Sequence, residues 1–546
     1  MDSFWPWLPL LALSQALLTW RRTLGYLRYF QQEGYEAVRF LQWANVRSLT
    51  DPAFWAACIT GLLAVWWPYP GAVVFMVAAV ALALGQPDPR YSGKIPLRLT
   101  WRAVRVLSVS LVLAFAVWTW LANAFVRADI QAPLLASAFL LVLLPLVMIV
   151  ANLLLVPYEQ HTQRGYEAAA IRTLGEVRPQ VIGITGSYGK SSSKAMLAHL
   201  LQFDAPTLAA SGSINTLMGI TRHIRENLVR GHRYLVVEMG AFKRGSIKRL
   251  CQLTPPSAGL ITAVGDMHLE RFGSTGAIVM AKGELADAIP AGGWLVVNAD
   301  SAGALAIARK ATHCRVLLYG EVSAEALATR IEEIRFTKHG TSFTLRTREA
   351  SYHCVTPLLG RPIVLNLAGA FTLAVAMGVS PEVAVAAMRT LRPVSNRLEV
   401  VEEKGITWIR DAYNSNQFGF RAALEVAAAL PVARRFLATP GCIELGAQQY
   451  DVNRALSREA AAVCDQTVVV AETNKDAFVA GHRDAGLEAR LVPVPSRADA
   501  FRWIRETVKE GDLVILENDL PDLYERSAGL FWKERGSVPS AVRSAS

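Results

Sequence analysis

The chain has 546 residues, 52% of them hydrophobic and only 18% charged, a length that suggests about three to five folded units. A net charge of +11 would suit a nucleic-acid binder. The basic excess, however, lies in short loops beside apolar segments, so a membrane is expected as the partner and nucleic acid is not. Six cysteines, scattered without a Cys-x-x-Cys pair, exclude a zinc site and a disulfide framework and fit a reducing compartment.

The first 160 residues read as a membrane region. Phe4 to Trp20 is a nearly charge-free apolar run, and Ala53 to Gly85 is a second, broken by Pro68-Tyr69-Pro70-Gly71. Val104 to Val126 and Pro133 to Val156 are each long enough to cross a hydrocarbon core, which takes about 20 residues. Arg21, Arg22, Arg28, Arg39 and Arg47 follow the first run, and Arg90, Lys94, Arg98, Arg102 and Arg105 precede or open the third. About five spans with the N-terminus outside satisfy this distribution and leave the rest of the chain in the cytoplasm. The protein is therefore expected in the inner (plasma) membrane, in contact with its lipids. The first run lacks a basic n-region, so a cleaved signal peptide is not expected.

After Val156 the pattern becomes that of an α/β protein. Apolar runs such as Tyr234–Glu238, Gly259–Val264 and Trp294–Asn298 alternate with helical segments, as in a parallel sheet with crossover helices. A break near Leu391-Arg392-Pro393 precedes a second series of buried strands, at Thr407–Arg410, Arg435–Thr439, Gln466–Val470 and Leu513–Leu516. The expected organisation is a membrane region over 1–160, a central P-loop ATPase domain over 161–392 and a smaller Rossmann-like, doubly wound domain over 393–535. A Ser-rich tail, 536–546, is expected to be disordered.

The central domain opens with its most informative stretch. Val181-Ile182-Gly183-Ile184 runs into Thr185-Gly186-Ser187-Tyr188-Gly189-Lys190-Ser191-Ser192 and then a helix-compatible run to Leu201. Strand, glycine loop and helix together wrap backbone N–H groups around phosphates at a helix N-terminus. Lys190 would reach the terminal phosphates, and the Ser191 hydroxyl would hold Mg²⁺. The loop is not the standard P-loop, because Ile184 stands where that pattern has glycine. Glu238 ends an apolar strand, where a carboxylate can bind Mg²⁺ directly or through water. His268 follows the next strand, and Lys282 lies in a helical segment. Taken singly, each of these three is more often an ordinary loop, structural or surface residue.

Their order and neighbours say more. Glu238-Met-Gly240-Ala241, Ile261-Thr262 with Gly265, His268-Leu269-Glu270 with Phe272-Gly273-Ser274, and Ala281-Lys282-Gly283-Glu284 resemble the Mur ligase family. The closest branch is the one that adds D-alanyl-D-alanine to a muramoyl tripeptide. The resemblance covers about residues 170–520 and implies ATP and two Mg²⁺ ions. It implies Ser191, Glu238 and His268 as metal ligands, with Lys282 N-carboxylated to help position the second ion. Asn298-Ala299-Asp300 matches a stretch whose Asn lies near the nucleotide base. Asn215 and Gly219 match a substrate-side loop. In the last domain, Asn396-Arg397-Leu398-Glu399 and Asp411-Ala412-Tyr413-Asn414-Ser415-Asn416 match motifs that imply Arg397 and Asp411 over the nucleotide and Asn414 and Asn416 lining the substrate cleft. Glu444-Leu445-Gly446 matches another recurrent loop.

The chain also departs from that branch. Membrane segments stand where the dipeptide-adding enzymes carry a soluble uridine-nucleotide domain. Pro362 follows Gly360-Arg361 where His is usual, although Asn366 remains. Arg410 and Gln417 replace Asp and Pro, and Glu517-Asn518-Asp519 replaces Lys-Gly-Ser. An amine-bearing group is easier to place near Glu517 and Asp519 than a free carboxylate.

The expected function is a membrane-anchored, ATP-dependent amide ligase working through an acyl phosphate. It would join an amino acid or dipeptide to a carboxylate of a cell-envelope precursor, with a lipid-linked precursor among the candidates. The alternatives are a poly-γ-glutamate synthase-like ligase and a non-catalytic ATP-binding scaffold. A P-loop transporter is disfavoured, because no intramembrane charge marks a substrate path.

Overall fold

The computed structural model describes residues 8–50, 54–56, 58–59, 62–63, 67–92, 95–124, 131–241, 243–265, 272–392, 398–411, 416–443 and 445–518. His268, Arg397, Asn414, Glu444, Asp519 and the segment 536–546 lie outside them. The chain divides into two compact units, one over Met1–Thr162 and one over Gln163–Leu520.

The first unit is helical: α1 (Leu8–Gln32), α2 (Ala37–Thr50), α3 (Pro68–Gly85), α4 (Trp101–Ala124) and the start of α5 (Gln131–Val177). The arginines after Trp20 do not end α1. Arg22 and Arg28 are buried, and Arg28 Nε donates to the Ile95 carbonyl at 3.0 Å. The segment after it is helical too, with Phe40 and Trp43 of α2 packed against Tyr26 of α1. Among the described residues, two helices, Trp101–Asn123 and Pro133–Val177, are long and apolar enough to cross a membrane, and Pro70–Gly85 is apolar but shorter. About five spans were expected. The difference arises because α1 carries Ser14, Gln15, Thr19, Arg21, Arg22 and Thr23, and because much of 51–66 lies outside the described residues.

The second unit holds two sheets. The first is nine-stranded, in the order β2-β3-β1-β4-β5-β6-β7-β8-β9. Its strands are β1 (Gln180–Thr185), β2 (Thr207–Ala209), β3 (Tyr234–Glu238), β4 (Ala258–Ile261), β5 (Trp294–Asn298), β6 (Arg315–Gly320), β7 (Thr329–Thr337), β8 (Gly340–Thr347) and β9 (Ser351–Thr356). β2 to β7 pair in parallel, and β7-β8-β9 is an antiparallel meander. β1 and β3 are buried along almost their whole length, as apolar runs covered by helices on both faces must be.

One face is covered by α6 (Lys190–Leu201), with α11 (Arg361–Ala376) and α12 (Pro381–Met388). The other carries α7 (Leu217–Asn227), α8 (Ser246–Leu253), α9 (Thr275–Ala288) and α10 (Ala302–Ala308). After β1 the chain moves outward to β3 and β2, and later returns to β4 on its other side. The carboxyl ends of β1, β3 and β4 therefore frame the crevice where open α/β sheets bind ligands.

The second sheet has the order β10-β11-β15-β12-β13-β14. It comprises β10 (Glu399–Glu403), β11 (Ile406–Asp411), β12 (Arg435–Thr439), β13 (Gln466–Val470), β14 (Leu491–Val494) and β15 (Leu513–Glu517), antiparallel only between β10 and β11. The helices α13 (Gln417–Ala429), α14 (Gln449–Val463) and α15 (Lys475–Asp484) cover one face, and α16 (Arg497–Thr507) covers the other. Arg361, at the start of α11, clasps Glu321 after β6 and Glu425 of α13, joining the two sheets' domains. Pro362 stands in the first turn of α11, where its missing N–H costs nothing.

Candidate nucleotide site

The glycine loop links β1 to α6 and is held by its neighbours. Thr185 Oγ1 donates to the Met239 carbonyl at 3.0 Å. The Ser187 and Tyr188 amides face the Ala263 carbonyl at 2.7 and 3.4 Å, and Thr262 Oγ1 donates to the Tyr188 carbonyl at 2.5 Å. Ser187 Oγ and Gly265 exchange two hydrogen bonds, at 2.9 and 3.1 Å. The two loop glycines are sterically required: a Cβ at Gly186 would collide with Thr262 Oγ1, and one at Gly189 with Asn366 Oδ1. Gly189 also sits at φ 80°, in the left-handed region that glycine enters without strain. It caps α6, whose first-turn N–H groups have no intrahelical partners. Ser192 is buried in that first turn.

Five charged or polar side chains converge behind the loop. Lys190 Nζ folds back on the Gly186 and Ser187 carbonyls at 2.8 and 3.2 Å. Lys282, brought in by α9, donates to the same Gly186 carbonyl at 2.9 Å. It is 4% exposed. Burial, and secondarily the Lys190 charge, drives its ammonium well below the usual lysine range. Glu238, at the end of β3 and 1% exposed, accepts from Ser191 Oγ at 2.9 Å. The other carboxylate oxygen accepts from Asn215 Nδ2 at 3.1 Å.

Sequence reasoning missed Lys194. It is 2% exposed, lies 3.4 Å from Glu238 Oε2 and donates to the Gly212 carbonyl. The available signal was spacing, since residues three apart on a helix share a face and Lys194 is three beyond Ser191. Ser213, whose Oγ is 3.0 Å from that of Ser191, was also unforeseen.

The Ser191 hydroxyl and the Glu238 carboxylate, oxygens within 2.9 Å of each other, form a hard, oxygen-only donor set that fits Mg²⁺. Ser191 and Glu238 are the residues that would hold the ion. A neutral Lys282 amine is the form that an N-carboxylation would need.

The remaining sequence-predicted residues are held more locally. Asn298, at the end of β5, accepts from the Asp300 amide at 3.0 Å. Asp411 accepts from the Leu398 amide at 3.2 Å. Asn416 Oδ1 accepts from the amides of Phe418 and Gly419 at 3.0 and 3.1 Å, so in this structure it caps α13. Glu517, near which an amine-bearing group is expected, is fully buried at the end of β15, in register with Asp411. Asn518 takes φ 63° and donates to the Gly441 carbonyl at 2.6 Å. Across the crevice, the Tyr188 ring meets Phe418 of α13 with centroids 5.2 Å apart.

Comparisons with known proteins point the same way. The family model for the Mur ligase middle domain matches residues 184–374, and that for the Mur ligase glutamate ligase domain matches 396–517. The UDP-N-acetylmuramoyl-tripeptide–D-alanyl-D-alanine ligase of Escherichia coli K12 is 32% identical over 274 residues, 50% of this chain and 60% of that enzyme. Its counterpart from Mycobacterium tuberculosis H37Rv is 30% identical over 395 residues, 66% of this chain and 76% of that one. The crystal structure of MurF from Acinetobacter baumannii superposes with a TM-score of 0.59 at 25% identity, covering 65% of this chain and 77% of the other. MurF from Thermotoga maritima in complex with ADP shares the fold, with a TM-score of 0.59 at 22% identity over 65% and 80% of the two chains.

Proposed function

The chain belongs to the Mur ligase family, and on that premise we propose that it is an ATP-dependent amide ligase, anchored in a membrane, that extends a carboxylate of a cell-envelope precursor. The observation that carries this reading is the meeting of Lys190, Ser191, Glu238 and Lys282 at the carboxyl ends of β1 and β3.

In the proposed reaction the acceptor carboxylate takes the γ-phosphoryl group of ATP, giving an acyl phosphate and ADP. The amine then attacks the acyl carbon, loses a proton and expels phosphate, leaving the amide. Phosphoryl transfer needs alignment and charge neutralisation more than covalent help. Bound Mg²⁺ would neutralise charge on the phosphate oxygens. Lys190 would leave its own loop carbonyls for the terminal phosphates. The first-turn amides of α6 would cradle them. Ser191 and Glu238 would present the metal-binding oxygens, and an N-carboxylated Lys282 would add a further anionic ligand. Arg397, Asp411 and the Tyr188–Phe418 contact would close the crevice and keep water from the acyl phosphate.

Membrane anchoring is supported by the outward apolar side chains of α4 and α5, among them Val112, Phe115, Trp120, Val142, Leu146, Leu153 and Leu154. Exposed apolar surface on this scale marks contact with a membrane or a partner. An anchored enzyme suits an acceptor presented at the bilayer surface, and a lipid-linked precursor is the substrate class we propose. The relatives' names supply the amine to try first, D-alanyl-D-alanine.

The test is Mg²⁺-dependent ADP release by the detergent-purified full chain, beside a Lys190→Ala control, with D-alanyl-D-alanine or single amino acids and with or without envelope lipid extract. Release that needs both amine and extract supports the proposal. Release with glutamate alone would make it a polyglutamate ligase. Release no greater than that of the control would overturn the ligase reading.

A further inference from the structure

The mechanism makes no use of Lys194, yet this is one of the most enclosed charges in the second unit. It reaches inward from α6 to the end of β3, and its ammonium lies against the carboxylate that the metal would need. Ser191 and Lys194, on one face of the helix, both approach Glu238 Oε2, at 2.9 and 3.4 Å, while Asn215 occupies Oε1. The same ammonium donates to the Gly212 carbonyl, in the loop that also carries Ser213 and Asn215. Lys194 therefore ties three elements together: the helix that starts at the phosphate loop, the strand that ends in the metal carboxylate, and the loop that bonds to that carboxylate.

We infer that Lys194 is the internal counter-cation of Glu238, closing this carboxylate to a free divalent cation until the phosphates of a bound nucleotide bring the cation in. The inference rests on the nucleotide-site reading and adds an order of events to it. A carboxylate buried at 1% exposure needs a partner charge, and Lys194 supplies it. Glu238 Oε2 is thus already shared by Ser191 and Lys194, and Oε1 by Asn215. A dication entering alone would have to displace the Lys194 ammonium from this carboxylate, in a site of low dielectric where repulsion between the two cations is strong. A polyphosphate offsets that repulsion. It draws Lys190 off its loop carbonyls, offers Lys194 an anionic neighbour and leaves Glu238 free to turn to the metal. N-carboxylation of Lys282 would not remove the block, because Lys194 still holds Glu238. The arrangement keeps the site from filling with cation alone, and it lets the loop over residues 210–216 register whether Glu238 is bound to lysine or to metal.

The test uses the detergent-purified full chain with Mn²⁺ as probe, following free Mn²⁺ by electron paramagnetic resonance, with and without ADP. Wild type should take up Mn²⁺ at this site only with ADP. Lys194→Met, which keeps the stem and removes the charge, should bind Mn²⁺ without ADP at least tenfold more tightly than wild type, whereas Lys194→Arg should bind as weakly as wild type. Equal binding by Lys194→Met and wild type, or tight binding by Lys194→Arg, would overturn the inference.

Should Lys194→Met fail to fold, Glu238→Gln gives an independent answer. It should lower Mn²⁺ uptake in the presence of ADP and leave the ADP-free titration at the wild-type level. A loss in the ADP-free titration would mean that Glu238 is already open to metal, which is incompatible with the proposed role. A wild type that takes up no Mn²⁺ even with ADP would instead overturn the nucleotide-site reading itself.

Discussion

The two sheets of the second unit each end in a crevice lined by polar residues, and the two crevices are built differently. At the ends of β1 and β3 the side chains reach one another across elements: Ser191 to Glu238, Asn215 to Glu238, Lys282 to the Gly186 carbonyl. At the ends of β11 and β15 the bonds described all go to backbone. Asp411 receives the Leu398 amide, Asn416 caps its own helix and Asn518 holds the Gly441 carbonyl. In the first crevice the groups from separate elements stand together, the convergence that electrostatic preorganisation requires. The second presents a scaffold that can contribute by moving as a body, as closing domains do. Substitutions in the first should therefore damage chemistry far more than stability, and those in the second should do the reverse.

The largest effect is expected at Lys190. Lys190→Ala removes the ammonium poised over the loop, and kcat/KM for ATP should fall by roughly a thousandfold or more, the scale of losing a central electrostatic group. Comparable activity in mutant and wild type would show that the first crevice is not the reaction site.

Lys282→Ala should follow, with a loss on the order of a hundredfold and partial rescue by a short added carboxylic acid. Its pH dependence sharpens the point. Burial beside Lys190 lowers the lysine's proton affinity, and the neutral amine is the form that adds carbon dioxide. Raising pH enlarges that fraction, so activity lost on stripping carbon dioxide should return at least as fast at higher pH when the dissolved carbon dioxide concentration is held fixed. A recovery rate that falls as pH rises would argue against N-carboxylation.

Phe418 tests the link between the crevices. Its ring is half exposed and lies against Tyr188, a type of contact worth about 0.5–1.5 kcal/mol. Phe418→Ala should lower kcat by roughly three- to tenfold while leaving ADP affinity nearly unchanged, and Phe418→Tyr should restore it. An equal loss of ADP affinity would place the ring in nucleotide binding rather than in closure.

The same contrast explains what the sequence could reveal. The glycine loop and Glu238 were legible because phosphate binding and a strand-end carboxylate each impose a local pattern of residues. Lys282 was legible only through its neighbouring motif, since a lysine within a helix is ordinarily solvated. Lys194 follows Ser191-Ser192-Ser193, a polar run that reads as a surface face, and only the position of β3 shows that it is inside. The burial of Glu517 was hidden for a similar reason. An acidic residue after four apolar ones looks like the exit of a strand into solvent, whereas Glu517 is fully buried at the end of β15. In the first unit, the arginines after Trp20 suggested the end of a helix, but α1 continues to Gln32 because helical neighbours and a backbone carbonyl receive them.

The smallest effect on activity separates two roles for one residue. The family resemblance places Asn416 in the substrate cleft, while the structure shows its Oδ1 accepting two amides of the first turn of α13. If capping is its role, Asn416→Ala should destabilise the protein by about 1 kcal/mol, measured by denaturant titration of the full chain. Asn416→Ser, which can accept the same amides, should regain most of that stability and keep near-normal turnover. If the side chain instead turns to substrate when the crevice closes, Asn416→Ser would be as stable as wild type yet lose more than about tenfold in kcat, the scale of a misplaced polar contact in a transition state. That result would assign the second crevice a share of the chemistry and erase the division between a preassembled site and a moving scaffold.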